Sequence, residues 1–194
     1  MSELPVTPAW SPGQPLAGWL RLTGRGTWLI RDAAVEHPSL RAHLNRHYQR
    51  DAQGRYFVQN GAQVVFVRLD YAPYTVHVAA DGSLVAHTGQ PAGAVQAACL
   101  DEAGVLTLLT ELGAARADEA TLEYFADRVR HADDQPADET ALSALMHGGA
   151  DTPALILDLP QGRVPLTRCA SNDLPRAFGF VRDPQQQYGA EAPA

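Results

Sequence analysis

The sequence predicts an α+β fold built mostly from antiparallel sheets, and three features support this prediction. Short runs of β-branched and aromatic residues recur along the chain, joined by turn sequences that suit hairpins. Helical periodicity is limited to three short segments. These elements do not alternate in the regular strand–helix–strand order that is typical of a parallel sheet.

Clusters of glycine and proline indicate how the chain is organised. Residues 88–93 contain two glycines and one proline without periodicity, so we expect two small α+β lobes, at 19–90 and 91–182, with a few packed helices. Residues 1–18 contain four prolines and are expected to form a flexible arm. The polar residues 183–194 are expected to be a disordered tail.

The composition excludes some classes of function. A hydrophobic fraction of 45% in 194 residues is enough for a true core. The net charge of −7 argues against binding to nucleic acid. No stretch approaches the roughly 20 apolar residues of a membrane span, and no secretory signal is present, so we expect a cytoplasmic protein without membrane contact. All fifteen basic residues are arginine, which indicates a GC-rich bacterial genome.

The first elements are a strand and a helix. Residues 27–30 follow a glycine-flanked turn and predict a strand. A helix follows, with Ser39 as its expected N-cap and an end near Arg50. Its predicted apolar face comprises Leu40, His43, Leu44 and His47.

The longest run of strand and turn signals lies at 48–79, and we expect it to form the central sheet. Turns are predicted where Asp51 precedes Gly54 and at Asn60-Gly61, because Asn and Gly accept positive φ. Strands are predicted at 56–58 and 63–71, with Pro73 as a break.

The remaining chain predicts hairpins and two helices. Strands are expected at 74–79 and 84–87, at 95–100 and 105–110, and at 154–157 and 164–166. One helix is expected to start at Asp118 or Thr121, with an apolar stripe that ends at Val129. Asp138 is the expected cap of a shorter helix that ends at Gly148-Gly149.

Several residues in the first half resemble those of a family of small bacterial proteins known only as a domain of unknown function. The resemblance covers residues 24–90. It is carried by Gly26-Thr-Trp28-Leu-Ile, His37-Pro38-x-Leu40, Arg50-Asp51-x-x-Gly54-Arg-Tyr56, Val65-x-Val67 and Ala72-Pro73-Tyr74. The resemblance implies a two-lobed α+β fold and a role in signalling. It implies no catalytic residue.

The charges are unevenly distributed along the chain. Residues 21–68 hold eight arginines and three acids, a net of +5, whereas residues 101–140 hold three arginines and eleven acids, a net of −8. The two regions could attract each other across a lobe interface, or the arginines could be dispersed and solvated. They could also bind a small anionic ligand or an acidic protein partner, since guanidinium groups suit carboxylate and phosphate.

For the ligand, we expect three arginines to surround a patch edged by two tyrosines, because the turns could return them to one place. Alternatively, Arg68 and Asp70 could pair with each other and cover the sheet. The predicted binding residues are Arg50, Arg55, Tyr56, Arg68, Asp70 and Tyr71.

No catalytic or cofactor motif is present, so no cofactor is expected and an enzyme is the less favoured hypothesis. The alternatives are a hydrolase-like enzyme with an inter-lobe cleft and a protein-interaction module.

His43 and His47 have metal-ligand spacing but no third ligand, so no metal is expected. Cys99 and Cys169 are far apart in sequence and are expected to be small buried residues.

Overall fold

The computed structural model describes residues 15–149 and 152–187, which form two β-sheets and four short helices. Residues 1–14 of the expected arm and 188–194 of the expected tail lie outside the described residues. The strands are β1 (Leu16–Leu22), β2 (Trp28–Ile30), β3 (Ala33–Ala34), β4 (Tyr48–Arg50), β5 (Tyr56–Asn60), β6 (Gln63–Leu69), β7 (Tyr74–Val78), β8 (Leu84–Ala86), β9 (Val95–Leu100), β10 (Leu106–Thr110), β11 (Ala114–Ala117), β12 (Val129–His131), β13 (Leu155–Leu159) and β14 (Gly162–Arg168). The helices are α1 (Pro38–His47), α2 (Leu122–Ala126), α3 (Glu139–His147) and α4 (Leu174–Phe178), with 3₁₀ turns at Glu119–Thr121 and Pro184–Gln187.

Most strand pairs are antiparallel, which confirms the predicted α+β class. The first sheet has the order β3-β2-β1-β6-β5-β4, and the second has the order β12-β13-β14-β9-β10-β11-β7-β8. Parallel pairing occurs only between β1 and β6, between β7 and β11, and between β9 and β14 in the described part of the chain. The hairpins β7–β8 and β9–β10 form as predicted.

The chain passes from the first sheet to the second between Leu69 and Tyr74, not at 88–93. Pro73 has no N–H to donate, so the ladder of β6 cannot continue through it. β7 and β8, which were expected in the first lobe, therefore pair within the second sheet. Buried apolar side chains from both sheets form one continuous core.

Two local expectations differ from the structure at helix ends. The N-cap of α1 is His37, and the Ser39 hydroxyl contacts the His37 ring rather than a backbone N–H. The helix expected up to Val129 ends at Ala126, because Val129 pairs with Leu157 and begins β12. A ladder with β13 thus overrides the local helical pattern.

Other local predictions are confirmed. The Asp138 carboxylate accepts from the Ala141 N–H at 2.8 Å, and α3 ends at Gly148, where φ is 70°. By contrast, residues 16–18 were expected to belong to the arm but lie in strand β1. None of the helices in the described ranges is long and apolar enough to cross a membrane.

Candidate functional site

The three arginines predicted to surround one patch lie on two opposite faces of the first sheet. Arg50 is paired with Tyr56 across β4 and β5, so the two side chains share a face. The Arg55 guanidinium lies over the ring of Phe66, 4.6 Å from its centre. Arg68 is two residues beyond Phe66 in β6 and therefore points to the same side as Phe66, away from Arg50. The expected three-arginine patch does not form.

Two of these predicted residues have acidic or basic partners that the sequence did not indicate. Arg55 pairs with Asp51 at 2.6 Å. The Asp70 carboxylate accepts two hydrogen bonds from Arg21, at 2.7 and 3.0 Å. Asp70 is therefore not the partner of Arg68, and Arg68 is exposed and has no ion pair within the described ranges.

Tyr71 connects the two sheets through buried polar groups. Its hydroxyl donates to Asp101 at 2.8 Å and lies 3.2 Å from the Thr107 hydroxyl. Asp101 is 1% exposed and Thr107 is fully buried. Burial is the main reason that the pKa of Tyr71 is raised well above its usual range. Tyr71 thus links the connector between the sheets to the second sheet, and its hydroxyl is already hydrogen-bonded within the protein.

The hydrogen bond from Tyr71 gives a testable stability prediction. Tyr71→Phe should lower the free energy of unfolding by about 1–3 kcal/mol, because one oxygen of the buried Asp101 carboxylate loses its donor. Tyr124→Phe is the matched control, since the Tyr124 hydroxyl is buried and has no hydrogen-bond partner among the described residues. That control should be neutral or stabilising in urea denaturation. Equal destabilisation of the two variants would show that the hydrogen bond from Tyr71 to Asp101 does not stabilise the fold.

The structure does bring together Arg50, Tyr56 and Tyr74. The rings of Tyr56 and Tyr74 lie edge to face with centres 5.7 Å apart. Both residues are almost fully buried, but their hydroxyl oxygens reach solvent and have no hydrogen-bond partner among the described residues. Burial raises the pKa of Tyr56 to about 12 and raises that of Tyr74 further, while the positive charge of Arg50 lowers both pKa values. The positive charge of Arg50 therefore acts on both hydroxyls. We name these residues the Arg50–Tyr56–Tyr74 cluster.

Neighbouring residues hold this cluster in place. The Tyr48 ring packs against both tyrosines, with centres 5.2 and 5.5 Å away, and its hydroxyl donates to the Pro73 carbonyl at 3.0 Å. A Cβ atom at Gly113 would lie 2.7 Å from the Tyr56 hydroxyl, so glycine is needed for this close approach. Arg50 donates one N–H to the Gly179 carbonyl at 2.7 Å, which orients its guanidinium.

Sequence reasoning identified Arg50 and Tyr56 but missed Tyr74. Tyr74 lies in the second sheet, whereas Arg50 and Tyr56 lie in the first, so no local pattern relates them. One signal was available, because Tyr74 belongs to the Ala72-Pro73-Tyr74 segment that carries the family resemblance.

Two other concave surfaces are less suited to specific binding. An apolar groove of about 190 Å³ lies between α1 and the first sheet, and its lining includes Ile30, Leu40 and His43. An open depression of about 490 Å³ is lined by charges of both signs, at Asp127, Arg128, Arg130 and Asp158.

The two histidines of α1 lie side by side. The rings of His43 and His47 are 4.5 Å apart. Within the described ranges, no three histidine, cysteine or acidic residues cluster as a metal site would require. His43 lines the apolar groove.

The uneven charge distribution is not explained by pairing between the two regions. Arg25 and Glu119, 3.1 Å apart, form the one ion pair that joins residues 21–68 to residues 101–140 in the described part of the chain. Both side chains are more than half exposed, so this pair contributes little to stability.

Comparisons with known proteins agree with the fold. A search of curated proteins found no match. A DUF1285 family protein from Silicibacter pomeroyi DSS-3 matches in structure with a TM-score of 0.55 and 18% identity, covering 81% of this chain and 84% of that chain. A DUF1285 family protein from Shewanella baltica OS155 matches with a TM-score of 0.39 and 13% identity, over 55% of this chain and 89% of that chain. The first likeness shows a shared fold.

A family model also matches residues 9–185, which extends well beyond the segment 24–90 that carried the resemblance in the sequence. This match confirms that resemblance to a domain of unknown function. The chain belongs to the DUF2944 family, described as "Protein of unknown function (DUF2946)".

Proposed function

We propose that this is a cytoplasmic bacterial protein that binds a small anionic ligand in a regulatory or signalling role, through the Arg50–Tyr56–Tyr74 cluster. The observation that supports binding is a pair of tyrosine hydroxyls that reach solvent, lack hydrogen-bond partners among the described residues and are acted on by the positive charge of Arg50. Donors that packed rings hold in place beside a guanidinium suit an oxyanion, because its oxygens accept charge-assisted hydrogen bonds.

The chemistry of the cluster determines the kind of ligand. Arg50 retains N–H donors beyond the one given to Gly179, and each tyrosine hydroxyl is a further donor. Tyr56 and Tyr74 are only 1% and 4% exposed, so a bulky ring cannot enter beside them. We therefore propose that the ligand presents one oxyanion group, a carboxylate or a phosphate, to the cluster while its remainder lies outside.

A binding experiment tests this proposal. Arg50→Met should weaken a bound anion by about tenfold or more, because a charge-assisted hydrogen bond contributes about 1.5–3 kcal/mol where water is excluded. The measurement is the shift in melting temperature across a panel of phosphate, pyrophosphate, nucleotides and small dicarboxylates, followed by calorimetric titration of those that stabilise the protein. Tyr74→Phe should weaken the same anions by a few-fold.

Arg68→Met is the matched control, because Arg68 is exposed on the opposite face of the first sheet. It should leave the affinity unchanged. If Arg68→Met weakens binding as much as Arg50→Met, the anion is held by general surface charge and the proposed site is wrong. The proposal also fails if no anion in the panel raises the melting temperature of the wild type by more than it raises that of the Arg50→Met variant.

A further inference from the structure

The two cysteines, which are 70 positions apart in sequence, meet in the second sheet. Both are free thiols. β9 and β14 run parallel, and Cys99 is opposite Thr167. Cys169 is two residues beyond Thr167, so its side chain points to the same face as that of Cys99. The Cys169 N–H donates to the Leu100 carbonyl at 3.2 Å, which holds Cys169 beside the end of β9.

Each thiol affects the pKa of the other, as expected for side chains that this register makes neighbours. They differ in access, since Cys99 is 2% exposed whereas Cys169 is only partly buried. Cys169 lies one residue past the end of β14. The backbone movement that disulfide geometry requires therefore falls at the end of a strand rather than in its interior.

We propose that Cys99 and Cys169 are a site of reversible intramolecular disulfide formation, with Cys169 as the attacking residue and Cys99 as the resolving residue. The oxidant is a low-molecular-weight disulfide. The Cys169 thiol loses its proton, and its sulfur attacks the oxidant, forming a mixed disulfide and releasing one small thiolate, which takes up a proton. Cys99 then loses its proton and attacks the Cys169 sulfur, releasing the second small thiol and forming the internal disulfide. Two protein thiols are oxidised and one small disulfide is reduced.

The position of the disulfide links it to the rest of the molecule. It would fasten the start of residues 169–187 to β9. This segment carries α4 and also Gly179, whose carbonyl accepts from Arg50. Burial raises the pKa of Cys99 to about 12 and also raises that of Cys169. Because the thiolate is the nucleophile, the reaction should be slow at neutral pH and accelerate as pH rises.

Peptide mapping of the full chain tests the proposal. The reduced protein is incubated with oxidised glutathione, its remaining thiols are blocked, and trypsin then separates the cysteines, because cleavage after arginine yields peptides 69–116 and 169–176. In the wild type, both thiols should disappear together and the two peptides should be found joined within one chain. Glutathione attached to Cys169 should be only a minor species.

Single variants separate the two roles. In Cys99→Ser and Cys99→Ala, Cys169 should accumulate glutathione, because the resolving thiol is missing. In Cys169→Ser, the buried Cys99 should lose its thiol at least about tenfold more slowly than in the wild type, since a buried thiol is poorly accessible. Circular dichroism verifies that each variant is folded, and Cys99→Ala avoids placing an unpaired hydroxyl in the core.

Three results would overturn the proposal. One is stable glutathione on Cys169 of the wild type while Cys99 remains free. Another is a disulfide that joins two chains. The third is a folded wild-type chain that keeps both thiols under conditions in which the urea-unfolded chain loses them.

Discussion

The free energy of unfolding should fall by up to about 3 kcal/mol as pH decreases from about 6.5 to about 4, because His87 is held neutral in the folded protein. Burial lowers the pKa of His87 from 6.5 to about 4. Part of the residue reaches solvent, but its Nε2 atom is enclosed and has no hydrogen-bond partner in the described part of the chain. Its Nδ1 accepts from the Thr75 N–H at 3.3 Å, which leaves the proton of the neutral ring on Nε2.

The direction of this effect follows from the number of protons that each state binds. Above pH 6.5, the ring is neutral in both the folded and unfolded states, so its protonation does not reduce the free energy of unfolding there. Between pH 6.5 and 4, the unfolded chain gains a proton that the folded chain cannot accept, and unfolding becomes easier. The surroundings of His87 are aromatic, with the ring centres of Trp28, Tyr48 and Tyr74 lying 5.9–6.2 Å away. None of these rings carries a compensating negative charge.

Urea denaturation at a series of pH values measures this effect. His87→Asn should flatten the slope between pH 6.5 and 4, because the asparagine oxygen can replace Nδ1 as the acceptor for Thr75 without titrating. The slope is the informative quantity, since the smaller side chain also leaves a cavity that lowers stability at every pH. His77→Gln is the control, because His77 is exposed on the same sheet, and the wild-type slope should remain. If His87→Asn has the same slope as the wild type, His87 is not the group that causes the loss of stability.

Gly54→Ala should destabilise the protein by about 3 kcal/mol, more than any other alanine substitution at a turn glycine of the first sheet. Gly54 has φ of 79°, where a side chain costs about 1–2 kcal/mol. A Cβ atom there would also lie 2.5 Å from the Gly179 carbonyl oxygen. Gly54 accepts a hydrogen bond from Val181 at 2.9 Å, so the two backbones cannot separate freely, and overpacking adds about 1–3 kcal/mol.

Gly61→Ala provides the matched control for Gly54→Ala. Gly61 also has positive φ, 59°, but a Cβ atom at this position would have no neighbouring atom within 4 Å. Gly61→Ala should therefore lower the free energy of unfolding by only about 1 kcal/mol, which is the cost of a side chain at positive φ. The difference between the two variants in chemical denaturation measures the contact with Gly179. Equal losses would show that the 179–181 segment yields easily to the new methyl group.

Local chemistry in the sequence predicted much of the secondary structure. The Asp51–Gly54 turn forms because the Asp51 carboxylate accepts backbone N–H groups at 2.9 Å and Gly54 adopts positive φ. Asp138 caps α3 for the same kind of reason. Such features depend on residues a few positions apart, so their pattern is visible in the sequence.

The candidate site could be predicted only in part. Arg50 and Tyr56 share a face because they are paired across a tight hairpin, which the turn at Gly54 made predictable. Arg55 and Arg68 were expected beside them, but strand alternation places those two side chains on the opposite face of the sheet. The face of Arg68 depends on the register of β6 against β5, and a shift of one residue in register would reverse the face of every side chain in β6.

What the sequence alone determined was the class of fold, the turns and caps, and membership of a family that the resemblance at 24–90 already indicated. Only the tertiary structure decided that the sheets divide at Pro73, that Tyr74 joins Arg50, that Gly54 faces Gly179, and that Cys99 meets Cys169. The physical reason is common to all four. Each depends on which strands become neighbours and in what register, and this is set by burial of one shared core rather than by any local pattern.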